Sequence, residues 1–221
     1  MIIILSPSKK QKLSQVETST PLLFNQKKEH LVDIIQQFTL EEIKERFKTS
    51  DNLSQKTYDA YQNYHENSLV YKTYTGDAFK TLDLPSLEEK SIQKHVRILS
   101  ALYGVLEPLN QISLYRLDFL TKLDFNLYDF WKTPITDYFN QLNRPIINLA
   151  SKEFSSMLDK DNLKVPIYHF EFLNTKSIKQ TRGLFARTIL ENKNFKLDTL
   201  EVENYRFVFK SGNVYTYEFI K

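Results

Sequence analysis

Residues 99–118 read Leu-Ser-Ala-Leu-Tyr-Gly-Val-Leu-Glu-Pro-Leu-Asn-Gln-Ile-Ser-Leu-Tyr-Arg-Leu-Asp, and no other stretch constrains the fold so tightly. Its first half extends an apolar stripe of Ile92, Val96, Leu99 and Tyr103. That spacing predicts a core helix, started by a Ser86/Glu89 capping box behind Pro85. Gly104 suits the left-handed position that closes a helix, and Pro108 cannot continue one. Tyr115, Arg116 and Asp118 then fall on an extended segment near Leu114. An Arg beside a Tyr in an apolar strand, close to a helix end, is a place to hold an anion or a base.

The rest of the chain alternates less regularly. Residues 2–5 form a continuous aliphatic run that Pro7 ends, which predicts a buried strand leading into a loop. Residues 27–38 carry Leu31, Ile34, Ile35 and Phe38 at helical spacing, and Thr39 with Glu42 makes a capping box before Ile43 and Phe47. A third helix is expected over 52–65 and a strand over 69–75, closed by a turn at Gly76 and Asp77. Further on come helical turns through 127–142 that Pro134 interrupts, strands at 144–149 and 165–173, and a short helix at 151–158. A long helix follows over 177–192, in which Gly183 costs about 1 kcal/mol relative to Ala. Two alternating strands around Ser211-Gly212-Asn213 end the chain as a β-hairpin. Strands and helices mixed in this way predict an α+β or mixed α/β fold. The expectation is a single compact domain over 1–221, with a central mixed sheet flanked by helices.

Composition narrows the chemistry. The chain of 221 residues has no cysteine, which excludes disulfides, thiolate nucleophiles and thiolate-held metals. His30, His65, His95 and His169 lie too far apart for a ligand pair, so no metal and no cofactor are expected. The apolar run at the N-terminus is too short for a signal peptide or a membrane span, which points to the cytoplasm and to no membrane partner. A net charge of +3 is modest. Nucleic-acid binding therefore requires folding to gather the cations in one place.

Several constellations are candidates for function. Ser6-Pro7-Ser8-Lys9 matches a pattern in which a Lys activates a Ser, although there the Ser opens a helix and here it ends a strand. The alternative is a loop at the mouth of a sheet, where ligands collect. The tight Gly104 turn reads either as a helix-hairpin-helix-like element, whose backbone N–H groups meet a DNA phosphate, or as an ordinary cap on a core helix. Lys176, Lys179 and Arg182 form a basic stripe, while Arg187 lies roughly 140° further round the helix and can pair with Glu191. Tyr103, Tyr115, Tyr128 and Trp131, interleaved with Arg97 and Arg116, fit either base stacking or the core.

Six segments in order resemble one family, the YaaA-type peroxide stress proteins of bacteria. They are Ser6-Pro7-Ser8-Lys9, Thr75-Gly76-Asp77-Ala78-Phe79, the run 99–117, Leu127-Tyr128-Asp129-Phe130-Trp131, the run 147–154, and Arg182-Gly183-Leu184-Phe185-Ala186-Arg187. The resemblance implies a cytosolic protein with a positively lined cleft and a helix-hairpin-helix, placed here at 102–109, that binds duplex DNA and limits peroxide damage linked to free iron. It puts forward Lys9, Arg97, Arg116, Arg182 and Arg187 as cleft residues. Glu107, standing where the family commonly has Arg, Ala101 in place of a Gly, and a shortened segment before Arg182 imply weaker DNA affinity.

Two principal functions follow. The first is a monomeric, non-enzymatic protein that binds duplex DNA without reading its sequence, through Lys9, Arg97, Tyr103, Gly104, Tyr115, Arg116, Lys179, Arg182 and Arg187. The second is an enzyme acting on a nucleotide or damaged base. Its catalytic candidates are Ser6, Lys9, Asp77 and Glu153, at predicted element ends with Tyr103, Arg116 and Asn148. A purely structural or partner-binding protein is the third.

Overall fold

In the computed structural model, which describes residues 1–16, 18–192 and 195–220, the first aliphatic run becomes the central strand. β1 (Ile2–Leu5) is buried along its whole length. Three helices follow: α1 (Asn25–Gln36), α2 (Leu40–Phe47) and α3 (Asp51–Gln62). The Thr39/Glu42 capping box forms as the sequence requires, with Thr39 Oγ1 accepting from Glu42 N–H and the Glu42 carboxylate accepting from Thr39 N–H at 2.8 Å. The chain continues through β2 (Ser68–Leu69), α4 (Val70–Thr73), α5 (Asp77–Leu82), a 3-10 turn at Leu84–Ser86 and α6 (Glu89–His95). β3 (Val96–Ser100), β4 (Gly104–Leu106) and β5 (Gln111–Ile112) come next. The remainder is α7 (Leu127–Leu142), β6 (Ile146–Asn148), α8 (Lys152–Ser155), β7 (Ile167–Leu173), α9 (Ile178–Glu191), β8 (Tyr205–Ser211) and β9 (Val214–Phe219).

Seven strands make one mixed sheet in the order β4-β3-β1-β6-β7-β9-β8. β3, β1, β6, β7 and β9 run parallel, and antiparallel hairpin partners, β4 and β8, close the two edges. Helices cover the sheet, and its buried side chains merge into one apolar core. From β1 the chain returns to the sheet on one side as β3 and later on the other as β6. The carboxyl ends of strands at such a reversal are where open α/β sheets bind ligands.

Three local expectations are corrected. The stripe at Ile92, Val96, Leu99 and Tyr103 is not one helix: α6 stops at His95, and Val96–Ser100 is a strand buried on both faces. A short apolar run of this length is consistent with either element, and the open side of β1 decides it, since Ile3, Ile4 and Leu5 pair with Val96, Arg97 and Ile98. Residues 69–75 are largely not a strand. Ser68–Leu69 pairs with Ile112 and Gln111 before the chain winds into α4, where Thr73 Oγ1 donates to the Leu69 carbonyl at 2.7 Å, and Tyr74 beyond it makes a single bridge to Gln11. Pro134 does not interrupt α7, which runs through it with Trp131, Ile135 and Phe139 buried on either side. Burial of that face offsets the missing backbone N–H.

The helix-hairpin-helix at 102–109 is likewise replaced by a β-hairpin. β3 pairs with β4 in antiparallel register, Ser100 opposite Gly104, across the turn of Ala101, Leu102 and Tyr103. Ser100 Oγ accepts from the N–H groups of Leu102 and Tyr103. Gly104 has φ of +73°, and a Cβ there would lie 2.6 Å from the Trp131 ring. Trp131 Nε1 in turn donates to the Ala101 carbonyl at 2.8 Å. The turn is sealed under aromatic rings, and its amides are out of reach of a phosphate.

Candidate functional site

A cavity of about 280 Å³ opens beyond the carboxyl ends of β1 and β6. One wall is the loop that leaves β1, residues 6–10, and another is the turn after β6 with the start of α8. α5 and α9 form the third. The loop is held in place by backbone hydrogen bonds, Thr75 N–H to the Lys10 carbonyl at 2.9 Å and Lys12 N–H to the Thr73 carbonyl at 3.0 Å. The two strand-end loops are laced together by Ser6, whose Oγ accepts from Ser151 N–H at 2.8 Å and donates to Ser151 Oγ at 3.1 Å. Gly183 sets the spacing of the helical wall, since a Cβ at this position would collide with the Ala78 carbonyl oxygen. That close approach brings Asp77 on α5 and Arg182 on α9 to the same cavity.

The floor is apolar, made by Leu5, Phe79, Leu82, Leu149 and Phe154. Around it stand Ser6, Lys9, Asp77, Glu153, Lys179 and Arg182. Among the described residues, neither the Lys179 nor the Arg182 side chain has a hydrogen-bond or ion-pair partner. Burial alone holds the half-buried Arg182 guanidinium below its ordinary pKa. Glu153 is pushed above the usual carboxylate value, first by partial burial and then by the neighbouring Asp118 charge, against an opposing pull from Lys9.

Phe154, Pro7, Ser8 and Lys9 also line a smaller annex of about 60 Å³. There Lys9 Nζ pairs with Asp118 at 2.9 Å, and Arg116 Nη2 lies 3.4 Å from the same oxygen. Arg116 Nε is buried without a hydrogen-bond partner. Because Lys9 faces Asp118 and Ser6 faces Ser151, the Ser–Lys pair of the nucleophile pattern is not formed.

The remaining predicted contact residues are structural. Arg97 is buried: its Nε donates to Tyr138 Oη at 2.6 Å, its Nη1 to the Gln93 and Val96 carbonyls, and its Nη2 pairs with Glu107. Tyr103 is 1% exposed. Its hydroxyl accepts from Ser113 N–H and shares a hydrogen bond with Tyr64. The Tyr115 hydroxyl bonds Ser100 and Tyr74. None of these side chains, nor Gly104, is open to a polynucleotide. Arg187 instead ties α9 to the chain after α5, donating to the Leu82 carbonyl and Ser86 Oγ and pairing with Glu191 at 2.8 Å. Asn148 lies behind the cavity, bonded to His169 and to Ala150 N–H. Phe79, Ser151 and Phe154 fall within the segments that resemble the family, but nothing in the sequence assigned them to the site. Gly183 was the available signal, since a glycine inside a helix marks a close approach.

The fold is of the mixed α/β class, and its candidate site is a cavity at the reversal point of a largely parallel sheet, with free cations on the helical wall. The chain belongs to the peroxide stress protein YaaA family, whose family model matches residues 1–210. Similar relatives carry the description UPF0246 protein. One from Crocosphaera subtropica is 35% identical over 219 aligned positions, covering 87% of this chain and 88% of the relative. One from Francisella tularensis subsp. tularensis is 32% identical over 250 aligned positions, covering 99% and 94%. One from Finegoldia magna is 37% identical over 173, covering 76% and 70%. Among the described residues no helix is long and apolar enough to cross a membrane.

Proposed function

We propose that this member of the peroxide stress family binds duplex DNA in the cytoplasm through the cationic rim of the cavity, without reading sequence. One observation carries the reading: Lys9 from the first loop and the unpaired Lys179 and Arg182 from α9 meet at one concave opening, although the whole chain has a net charge of only +3. The contacts are to phosphate, made by side chains on rigid elements rather than by a helix-hairpin-helix. With the two unpaired cations in contact the slope of log affinity against log salt is about −1.8, at roughly −0.9 per phosphate, and it steepens towards about −2.7 only if phosphate draws Lys9 away from Asp118. Arg182→Ala reduces that slope by about 1 and weakens binding to all sequences alike. Affinity that is undetectable at low salt, or indifferent to salt, overturns the reading. The effect on free iron is indirect, and stoichiometric iron loading of the purified protein would count against that part.

A second reading, an enzyme acting on a nucleotide or damaged base, is favoured by the meeting of Ser6, Asp77 and Glu153 above an apolar floor, where partial burial raises the Glu153 carboxyl above its ordinary pKa. Turnover of a nucleotide that disappears in Glu153→Gln supports it. Absence of turnover across free nucleotides and oxidised DNA removes it.

A further inference from the structure

We propose that the cavity binds one unstacked nucleotide by a terminal phosphate, with the phosphomonoester on Arg182 and Lys179 and the base on the apolar floor. The inference rests on the DNA-binding reading and specifies the group that enters the fold. At about 280 Å³ the cavity lies at the small end of ligand pockets, which span about 300–1,000 Å³. It has room for one nucleotide and none for a duplex, so a duplex touches only the rim.

Charge separates a terminal phosphate from an internal one. A phosphodiester carries a single charge, whereas a phosphomonoester carries roughly −1.5 to −2 at neutral pH. Lys179 and Arg182 are three residues apart on α9, hence on one face, and neither is neutralised by a carboxylate among the described residues. The planar guanidinium adds a two-pronged fit to phosphate oxygens. Arg182 is already half-buried, so its attraction for a dianion is less screened than that of a surface cation.

The other groups fix the orientation. Phe79 and Phe154 line the apolar floor on which a base would rest, and contact of that kind tolerates any base. Asp77 and Glu153 are acceptors that repel phosphate and receive sugar hydroxyls or exocyclic amines. Phosphate towards α9 and donors towards the carboxylates is the one arrangement that satisfies both signs of charge.

Free nucleotides and 5′-phosphorylated DNA ends share this chemistry. The test measures binding of the full chain to four probes: dAMP, a duplex with 5′-phosphate ends, the same duplex with 5′-hydroxyl ends, and a dumbbell duplex with no ends. The expected result is at least tenfold tighter binding of the phosphorylated duplex than of its hydroxyl counterpart, competition by dAMP, and loss of the preference in Arg182→Gln at unchanged melting temperature. Binding of dAMP with no end preference assigns the site to free nucleotides. If phosphorylated and hydroxyl ends bind equally and dAMP does not bind, the inference falls, while salt-dependent dumbbell binding keeps the DNA reading. If dAMP binds and none of the duplexes does, the DNA reading falls and the cavity is a site for free nucleotides.

Discussion

The guanidinium of Arg97 lies 2.7 Å from the carboxylate of Glu107, with side-chain exposures of 6% and 16%. The pair joins β3 to the end of the β3–β4 hairpin, and Gln93 Nε2 donates to the second Glu107 oxygen at 2.9 Å. Glu107 is therefore not a charge set against phosphate. It neutralises a strand arginine that would otherwise be buried alone.

Removing one partner strands the other. Glu107→Ala is expected to destabilise the fold by about 3–5 kcal/mol, whereas the double change Arg97→Met with Glu107→Leu recovers most of that loss. Urea denaturation of the parent protein and the two variants measures both. A single-variant loss below about 1 kcal/mol would show the pair to be solvated.

Gly183→Ala tests the close contact of α5 and α9. Alanine is the better helix former, yet its methyl group meets the Ala78 carbonyl oxygen. A net destabilisation of about 1–3 kcal/mol is expected from overpacking, together with weaker ligand binding, because Asp77 and Arg182 move apart. A rise in melting temperature would mean that the helices stand further apart.

Glu153 makes stability depend on pH in a direction opposite to that of most carboxylates. Its folded pKa lies above the ordinary 4.5, through partial burial and then Asp118. Between the two values the folded chain keeps a proton that the unfolded chain has released. The stabilisation is thus complete below pH 4.5 and is lost as pH rises through the folded value. Melting curves across this window should show the fall in the parent protein and not in Glu153→Gln, and Asp118→Asn should move the midpoint down. A parent profile identical to that of Glu153→Gln would reject the shift.

The buried tyrosines give an alkaline counterpart. Burial pushes the phenols of Tyr61, Tyr74 and Tyr103 well above 10.0, and Tyr115 up to about 12. In a spectrophotometric titration of the folded protein these groups stay silent near pH 10, whereas in denaturant all 13 tyrosines ionise together. Stability present below pH 10.0 is lost as pH climbs towards the raised values. Ionisation of all 13 near pH 10 without unfolding would place these rings in water.

Elements were legible in the sequence where neighbours along the chain supply the cause. The Thr39 cap, the stripe of α1 and the Gly212 hairpin each depend on residues within a few positions; the cap and hairpin form as read, and α1 forms two residues earlier than read, leaving Phe38 just beyond its end. Residues 96–100 illustrate the opposite. Their apolar run carries no local preference strong enough to choose helix or strand, and pairing with β1, whose nearest residue in sequence lies some ninety positions away, makes the choice.

The same division governs the site. Residue type marked Ser6, Lys9, Asp77, Glu153, Lys179 and Arg182 as capable of chemistry, but marked Arg97, Tyr115 and Arg187 equally. Only the sheet order, which sets the ends of β1 and β6 side by side beneath α5 and α9, leaves the first group around one cavity and turns the second into core bonds and helix ties. A sequence fixes which charges a protein has and which local turns it favours. Whether a cation meets a carboxylate or stays free for a ligand depends on contacts between distant segments, and those exist only once the chain has folded.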